Sequence, residues 1–254
     1  MKNIKLIISY RGTHYSGWQV QTNGITIQET IEKAIKQLTG ERINLIGSGR
    51  TDAGVHAIAQ CANFLTESTI PPDAFYKAIN TKLPDDIRIL ESQWCDQSFH
   101  SRYDAKGKSY IYKICEDQVV SPFTTDLAFH VADSLDWKAM KEAAAHFIGE
   151  HDFRSFMASG SSVKSTVRTI EEISFEKNDS LREITFKGNG FLYNMVRIMV
   201  GTLYEVGRHR IAALDIQKII LSKDRSLAGI TAPAYGLYLK EVYYENKLDL
   251  NENK

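Results

Sequence analysis

Gly47-Ser48-Gly49-Arg50-Thr51-Asp52-Ala53-Gly54-Val55-His56-Ala57 stands between two short apolar runs, residues 43–46 and 61–65. Runs of that length bounded by turn residues read as buried strands. The stretch between them then reads as a polar, glycine-rich turn, the kind of place where a rigid scaffold presents a functional side chain. It carries one carboxylate, Asp52. A carboxylate serves as a nucleophile if it stays ionised and aimed, and an arginine fork does both through a fixed charge and a bidentate hydrogen bond. Asp52 is accordingly the candidate nucleophile, and Arg50, two residues before it, the candidate for positioning it.

Toward the N-terminus, residues 4–9 read as a strand that runs into Tyr10-Arg11-Gly12-Thr13-His14-Tyr15-Ser16-Gly17-Trp18-Gln19, an aromatic and glycine-rich loop. Aromatic faces beside accessible backbone suit stacking on nucleotide bases; the competing reading is a packed loop, which is favoured for Trp18. Thr26-Ile27-Gln28-Glu29 fits a capping box. Ile27, Ile31, Ala34, Ile35 and Leu38 recur at helical spacing, and Gly40 supplies a stop. On the other side of the motif, Pro71-Pro72-Asp73 opens a helix through about residue 83, and Pro84-Asp85-Asp86 turns the chain into a strand over 87–94.

Residues 99–108 are basic and lack apolar periodicity, which marks a hinge between two halves, 1–104 and 105–254. The second half reads as a strand over 110–114, a helix over 136–148 stopped by Gly149, and strands over 170–175 and 182–186 joined by a turn at 177–180. A buried helix over 191–206, a helix over 215–221 and a strand over 237–244 follow. Strands and helices alternate without the regular period of a parallel sheet, so the class is α+β. The like order of elements in the two halves suggests a pseudo-duplicated architecture.

The chain has 254 residues, 24% charged and 43% hydrophobic, with zero formal net charge. This is ordinary globular composition and excludes a chain-wide polycation. Charge is nonetheless segregated. Residues 1–28 hold no Asp or Glu but Lys2, Lys5 and Arg11; residues 153–170 are also acid-free and carry Arg154, Lys164 and Arg168; acids gather in the tail over 241–252. Such a pattern is compatible with a polyanion-binding face, and equally with chance clustering. Cys61, Cys95 and Cys115 are odd in number and widely spaced, which argues for reduced thiols in a cytosolic protein. The N-terminus shows no cleavable signal, and 191–206 is too short and too interrupted by Asn194, Arg197 and Glu205 to span a membrane.

Arg197 is the one cation inside the apolar helix over 191–206. A buried arginine without a carboxylate is costly. Asp52 is the expected partner; a wet helix edge and a pair with Glu205 are the alternatives. Other chemistries fit less well. A phosphate loop needs a Gly-Lys-Ser/Thr ending, and Asp52 stands where phosphates would sit. His56 has no second ligand at zinc spacing and reads as structural. His151-Asp152 with Ser159-Gly160-Ser161-Ser162 lacks the nucleophile elbow of a serine hydrolase.

Gly49-Arg50-Thr51-Asp52-Ala53-Gly54-Val55-His56-Ala57 resembles the active-site signature of the tRNA pseudouridine synthase A (TruA) family. Further motifs resemble that family in order: Gly17-Trp18-Gln19, Phe99-His100-Ser101-Arg102, Lys108-Ser109-Tyr110-Ile111-Tyr112, Gly190-Phe191-Leu192 with Asn194-Met195-Val196-Arg197, and Ala232-Pro233-Ala234-Tyr235-Gly236-Leu237-Tyr238-Leu239. The resemblance covers the chain up to its polar tail. It implies an α+β pseudouridine synthase fold, in which two similar halves share a mixed, largely antiparallel central sheet flanked by helices, with an RNA-binding cleft between them. It implies a cytoplasmic homodimer, without cofactor or metal, that isomerises uridine to pseudouridine at three consecutive positions of the anticodon stem-loop of tRNA. Residue by residue, it implies that Asp52 is the nucleophile, that Tyr110 stacks on the target base and takes part in proton transfer, that Arg197 pairs with Asp52, and that Arg50 displaces and replaces the flipped base. Gly49 and Gly54 then read as room for that nucleotide.

Two departures stand out. Arg11 occupies a position usually held by an aspartate, and Val20 one near which a basic residue is usual, which bears on RNA contacts in this loop. The competing functions are an RNA-binding chaperone without turnover, a related synthase acting on another RNA, and an aspartate hydrolase that releases uracil.

Overall fold

The structure, a computed structural model, describes residues 1–132, 134–160, 163–178 and 181–244. The expected turn at 177–180, the serine-rich stretch at 159–162 and the acidic tail fall partly outside these residues. The chain divides into two compact units, one formed by Met1–Lys108 with the segment from Leu239 onward, the other by Ser109–Tyr238.

In the first unit, β1 (Lys2–Tyr10) alternates buried and half-buried positions, with Ile4, Leu6 and Ile8 fully buried. That two-residue period is the mark of a strand with one face on a core. α1 (Ile27–Thr39) begins with half of the expected capping box: the Thr26 hydroxyl accepts from the Glu29 amide, while the Glu29 carboxylate pairs with Lys33. It ends at Gly40, which takes the left-handed conformation at φ 77°. β2 is only Ile46–Gly47. The strand expected over 43–46 shrinks because the Leu45 amide donates to the Glu32 carboxylate at 2.9 Å and so cannot enter the ladder. β3 (His56–Thr66) is longer than expected and pairs antiparallel with both β1 and β2.

A single 3-10 turn, Pro72–Ala74, then leads into α2 (Phe75–Asn80). The helix stops short of residue 83. The Asn80 side chain exchanges two 2.8 Å hydrogen bonds with the Ile89 backbone, and Pro84 disfavours helical backbone before it. β4 (Ile87–Cys95) pairs antiparallel with β1. Phe64 of β3 meets Phe75 of α2 edge-on with ring centroids 5.6 Å apart, and Ile27, Ile31 and Ile79 are fully buried. Each such side chain contributes about 1.5–3 kcal/mol by leaving water.

β5 (Ala105–Cys115) starts inside the stretch expected to be a hinge and carries the chain into the second unit. There it pairs in parallel with β6 (Phe129–His130), a strand too short to show a period in the sequence. α3 (Trp137–Ala145) is capped by the Asp136 carboxylate. Gly149, expected as its stop, instead opens β7 (Gly149–Asp152), which pairs antiparallel with β8 (Val167–Asn178). β8 pairs antiparallel with β9 (Leu181–Gly188). α4 (Met195–Gly207) is buried along nearly its whole length, and α5 (Asp215–Ser222) and β10 (Leu237–Tyr244) complete the order. Phe147, Phe153 and Phe156 form an aromatic cluster with centroids 5.0–6.5 Å apart.

Neighbouring strands run β4-β1-β3-β10 in the first unit and β5-β9-β8-β7 in the second. β1 pairs antiparallel with β3 and β4, and β8 with β7 and β9, whereas β5 and β6 are parallel, so the pairing is mixed and the class is α+β as expected. The three cysteines are free thiols. No described helix is long and apolar enough to cross a membrane.

Candidate active site

The Asp52 turn leaves β2 and is tied down residue by residue before it enters β3. Ser48 is buried, its amide donates to the Cys61 carbonyl at 2.8 Å, and its hydroxyl donates to Gln60 Oε1 at 2.5 Å. Gln60 Nε2 donates in turn to the Gly49 carbonyl at 3.0 Å. The Thr51 carbonyl accepts from the Trp18 amide at 3.0 Å, and the Thr51 and Tyr10 hydroxyls share a 2.7 Å hydrogen bond. Behind Asp52, the Val55 amide closes the turn onto the Asp52 carbonyl at 3.1 Å, and Gly54 takes φ 78°. Asp52 itself is half-buried beside exposed Ala53. Backbone this well fixed sets the position from which the carboxylate projects.

The aromatic tract at 10–18 supplies much of this restraint. Gly17 takes φ 89°, and a Cβ there would lie 2.6 Å from the Thr51 carbonyl oxygen, so only glycine lets the two loops touch. Tyr10, Tyr15 and Trp18 are all buried, with Trp18 packed on Gly47. Their burial removes these rings from base stacking, and the packed-loop reading holds for all three. His56 is buried and its Nδ1 accepts from the Gly12 amide at 3.0 Å. That bond requires an unprotonated Nδ1, which makes His56 a neutral pin between the two loops. Tyr15 donates to Asp86 at 2.6 Å; burial first, then this bond and the carboxylate's charge, raises its phenol pKa.

Arg50 is exposed and its Nε donates to Gln19 Oε1 at 3.0 Å. Arg11 is exposed, its Nε donates to the Thr13 hydroxyl at 3.3 Å, and it lines a hollow of about 370 Å³ together with Asp85, Asp86 and Arg88. Gly49 does not open onto empty space. A Cβ there would meet Lys108 Nζ at 2.4 Å, and that ammonium donates to the Ser48 carbonyl at 2.9 Å.

In the second unit, Tyr110 is 9% exposed and meets Phe191 edge-on at 5.0 Å and 80°. Arg197 lies in the first turn of α4. This helix starts four residues later than the apolar run because Asn194 adopts left-handed backbone at φ 59°, a conformation asparagine tolerates better than most residues. The Asn194 side chain accepts from Arg197 Nη1 at 2.8 Å, and Arg197 Nε donates to the Ala232 carbonyl at 2.7 Å. Glu205, one alternative partner for Arg197, forms its ion pair with Arg210 at 3.4 Å. The segment beyond Ala232 is held by Tyr112, whose hydroxyl donates to the Pro233 carbonyl at 2.8 Å and whose pKa is raised by burial. Among the described residues no three His, Cys, Asp or Glu side chains are grouped to hold a metal ion.

Sequence reasoning missed Gln60 and the placement of Lys108. Gln60 sits on a strand with nothing to distinguish it, and Lys108 lay in a basic stretch assigned to a hinge. The signal that could have found them is the small Ser48-Gly49 pair, which admits a long side chain against the backbone.

A sequence model of the tRNA pseudouridine synthase family matches residues 6–104 and 143–245. The tRNA pseudouridine synthase A of Acetivibrio thermocellus is 55% identical over 244 residues, 96% of this chain and 100% of that protein. The tRNA pseudouridine synthase A 2 of Clostridium tetani is 53% identical over 245 residues, 96% and 99% of the two chains, and tRNA pseudouridine synthase A of a Thermoanaerobacter species is 48% identical over 244 residues, 96% and 100%. These matches and the α+β fold define the class as the pseudouridine synthases, isomerases of uridine in RNA. Within that class, the chain belongs to the tRNA pseudouridine synthase family.

Proposed function

We propose that the protein isomerises uridine to pseudouridine in the anticodon stem-loop of tRNA, with Asp52 as nucleophile. The observation that carries this reading is the Asp52 turn: a single half-buried carboxylate on a backbone fixed by Trp18, Gln60 and the closing Val55 amide. A stacked uridine must first leave its helix at a cost of about a few kcal/mol. Exposed Arg50, on the same turn, is suited to fill the vacated space. Asp52 then attacks either C1′ of the ribose or C6 of the uracil. The C1′–N1 bond breaks, the base turns, C1′–C5 forms, the bond to Asp52 breaks so that its carboxylate is regenerated, C5 gives up its proton and N1 gains one. No atoms or electrons enter or leave, so the isomerisation balances with no external reactant.

In this proposal Arg197 keeps Asp52 ionised, and Tyr110 stacks on the target base and assists the proton transfer. The bonds from Arg197 to Ala232 and Asn194 support the role, since they fix the guanidinium before substrate arrives. The uniform 48–55% identity to relatives named as tRNA pseudouridine synthases supports tRNA as substrate. A cytoplasmic homodimer belongs to the same proposal, and light scattering at micromolar concentration checks the stoichiometry.

The test is incubation with an unmodified tRNA transcript followed by mapping of pseudouridine. Product in the anticodon stem-loop with the wild type and none with Asp52→Ala is expected. Binding without product would mean an RNA chaperone, product elsewhere a synthase of other specificity, and free uracil a hydrolase.

A further inference from the structure

We propose that Lys108 is a positioning residue for the reaction, its ammonium clamping the backbone that leads into Arg50 and Asp52. This rests on the reading of Asp52 as nucleophile and extends it to the group that holds the turn in place.

The geometry is that of a clamp with two jaws. On one side Gln60 accepts a hydrogen bond from the Ser48 hydroxyl and donates to the Gly49 carbonyl. On the other, Lys108 Nζ donates to the Ser48 carbonyl at 2.9 Å and lies so close to Gly49 that a Cβ there would fall 2.4 Å from it. Consecutive residues are thus gripped immediately before the functional turn. Among the described residues Lys108 forms no ion pair, and its one hydrogen bond is to the Ser48 carbonyl. Lys108 is half-buried, and holding its ammonium against this backbone without a counter-charge is costly, because the charge gives up part of its hydration. A neutral side chain would fill the same space at lower cost. What the charge adds is a stronger bond to a carbonyl, about twice that of a neutral donor.

The charged form is therefore the one that holds the turn, and its loss has a predictable position. Burial, and secondarily the charge of Arg102, lower the Lys108 pKa to about 8. Cys61 and Tyr244 also lie beside Ser48, and burial raises both above their ordinary values. They stay protonated while Lys108 titrates, so an alkaline loss of turnover that disappears in Lys108→Met reports on Lys108.

The experiment compares wild type, Lys108→Met and Asp52→Ala on one tRNA transcript, measuring kcat, KM and affinity from pH 6.5 to 9.5. For the wild type, kcat falls as pH rises through about 8 while affinity stays flat. For Lys108→Met, kcat at neutral pH drops at least about tenfold, KM stays within about twofold, and the alkaline fall is gone, as expected when a distant misplacement spoils attack geometry. Unchanged kcat in Lys108→Met, or a rise in KM alone, overturns the proposal; the latter makes Lys108 an RNA contact. If Lys108→Met does not fold, the wild-type profile still decides, because a flat kcat across this range is incompatible with the clamp. An active Asp52→Ala would overturn the nucleophile reading instead, and leaves the two failures distinguishable.

Discussion

In the proposed mechanism Asp52 carries the chemistry and few of the contacts that hold RNA, which come chiefly from phosphate neutralisation. Asp52→Ala should therefore abolish product while tRNA affinity, measured by filter binding, changes by no more than about threefold. Arg197→Ala is expected to be costly twice over. It removes the donors to the Ala232 carbonyl and to Asn194, and in the proposed pairing it leaves Asp52 without its counter-charge. We expect a loss of about 3 kcal/mol or more in urea unfolding together with loss of turnover. An unchanged unfolding midpoint would count against the pairing. Lys108 adds a pH signature at the same scale. Its folded pKa of about 8 lies below the ordinary 10.5, so between those values the unfolded chain binds more protons than the folded one. Stability should then rise with pH across that window. Lys108→Met should lack this rise, and a thermal-melt series over pH 8 to 10 checks it.

At the scale of elements, the legible parts were those whose local chemistry agreed with their environment. The Thr26-Glu29 box, the apolar spacing of Ile27 to Ile35 and Gly40 located α1 to the residue, since cap, stripe and stop all act within the helix itself. Thr26→Ala should accordingly destabilise by about 1 kcal/mol. What escaped was set by distant partners. Glu32 diverts the Leu45 amide and shortens β2, Asn80 binds β4 and ends α2, and β6 and β7 exist only because longer neighbours offer them ladders. The site shows the same split. Glycines and a lone carboxylate marked Asp52, but nothing local announced that Gly17 must yield to Thr51 or Gly49 to Lys108. Gly17→Ala would combine a positive φ with a 2.6 Å contact, and we expect it to cost about 1–3 kcal/mol and to lower kcat by displacing the turn.

For the molecule as a whole, zero net charge said little about an RNA substrate, because affinity depends on where the cations stand. The acid-free runs at 1–28 and 153–170 mark where phosphate contacts are expected, and affinity for tRNA should fall steeply with salt while that of Asp52→Ala falls in parallel. The family and the α+β class were readable from motifs spread along the chain, since each motif is a short, local constraint. The clamp on the turn was not, because it is made by residues 12 and 60 positions away from Ser48. The most direct test of the account is site-resolved pseudouridine mapping on unmodified tRNA transcripts treated with wild type or Asp52→Ala. Pseudouridine in the anticodon stem-loop with the wild type and none with the variant is the expected result; modification by Asp52→Ala at the wild-type rate would contradict Asp52 as the nucleophile.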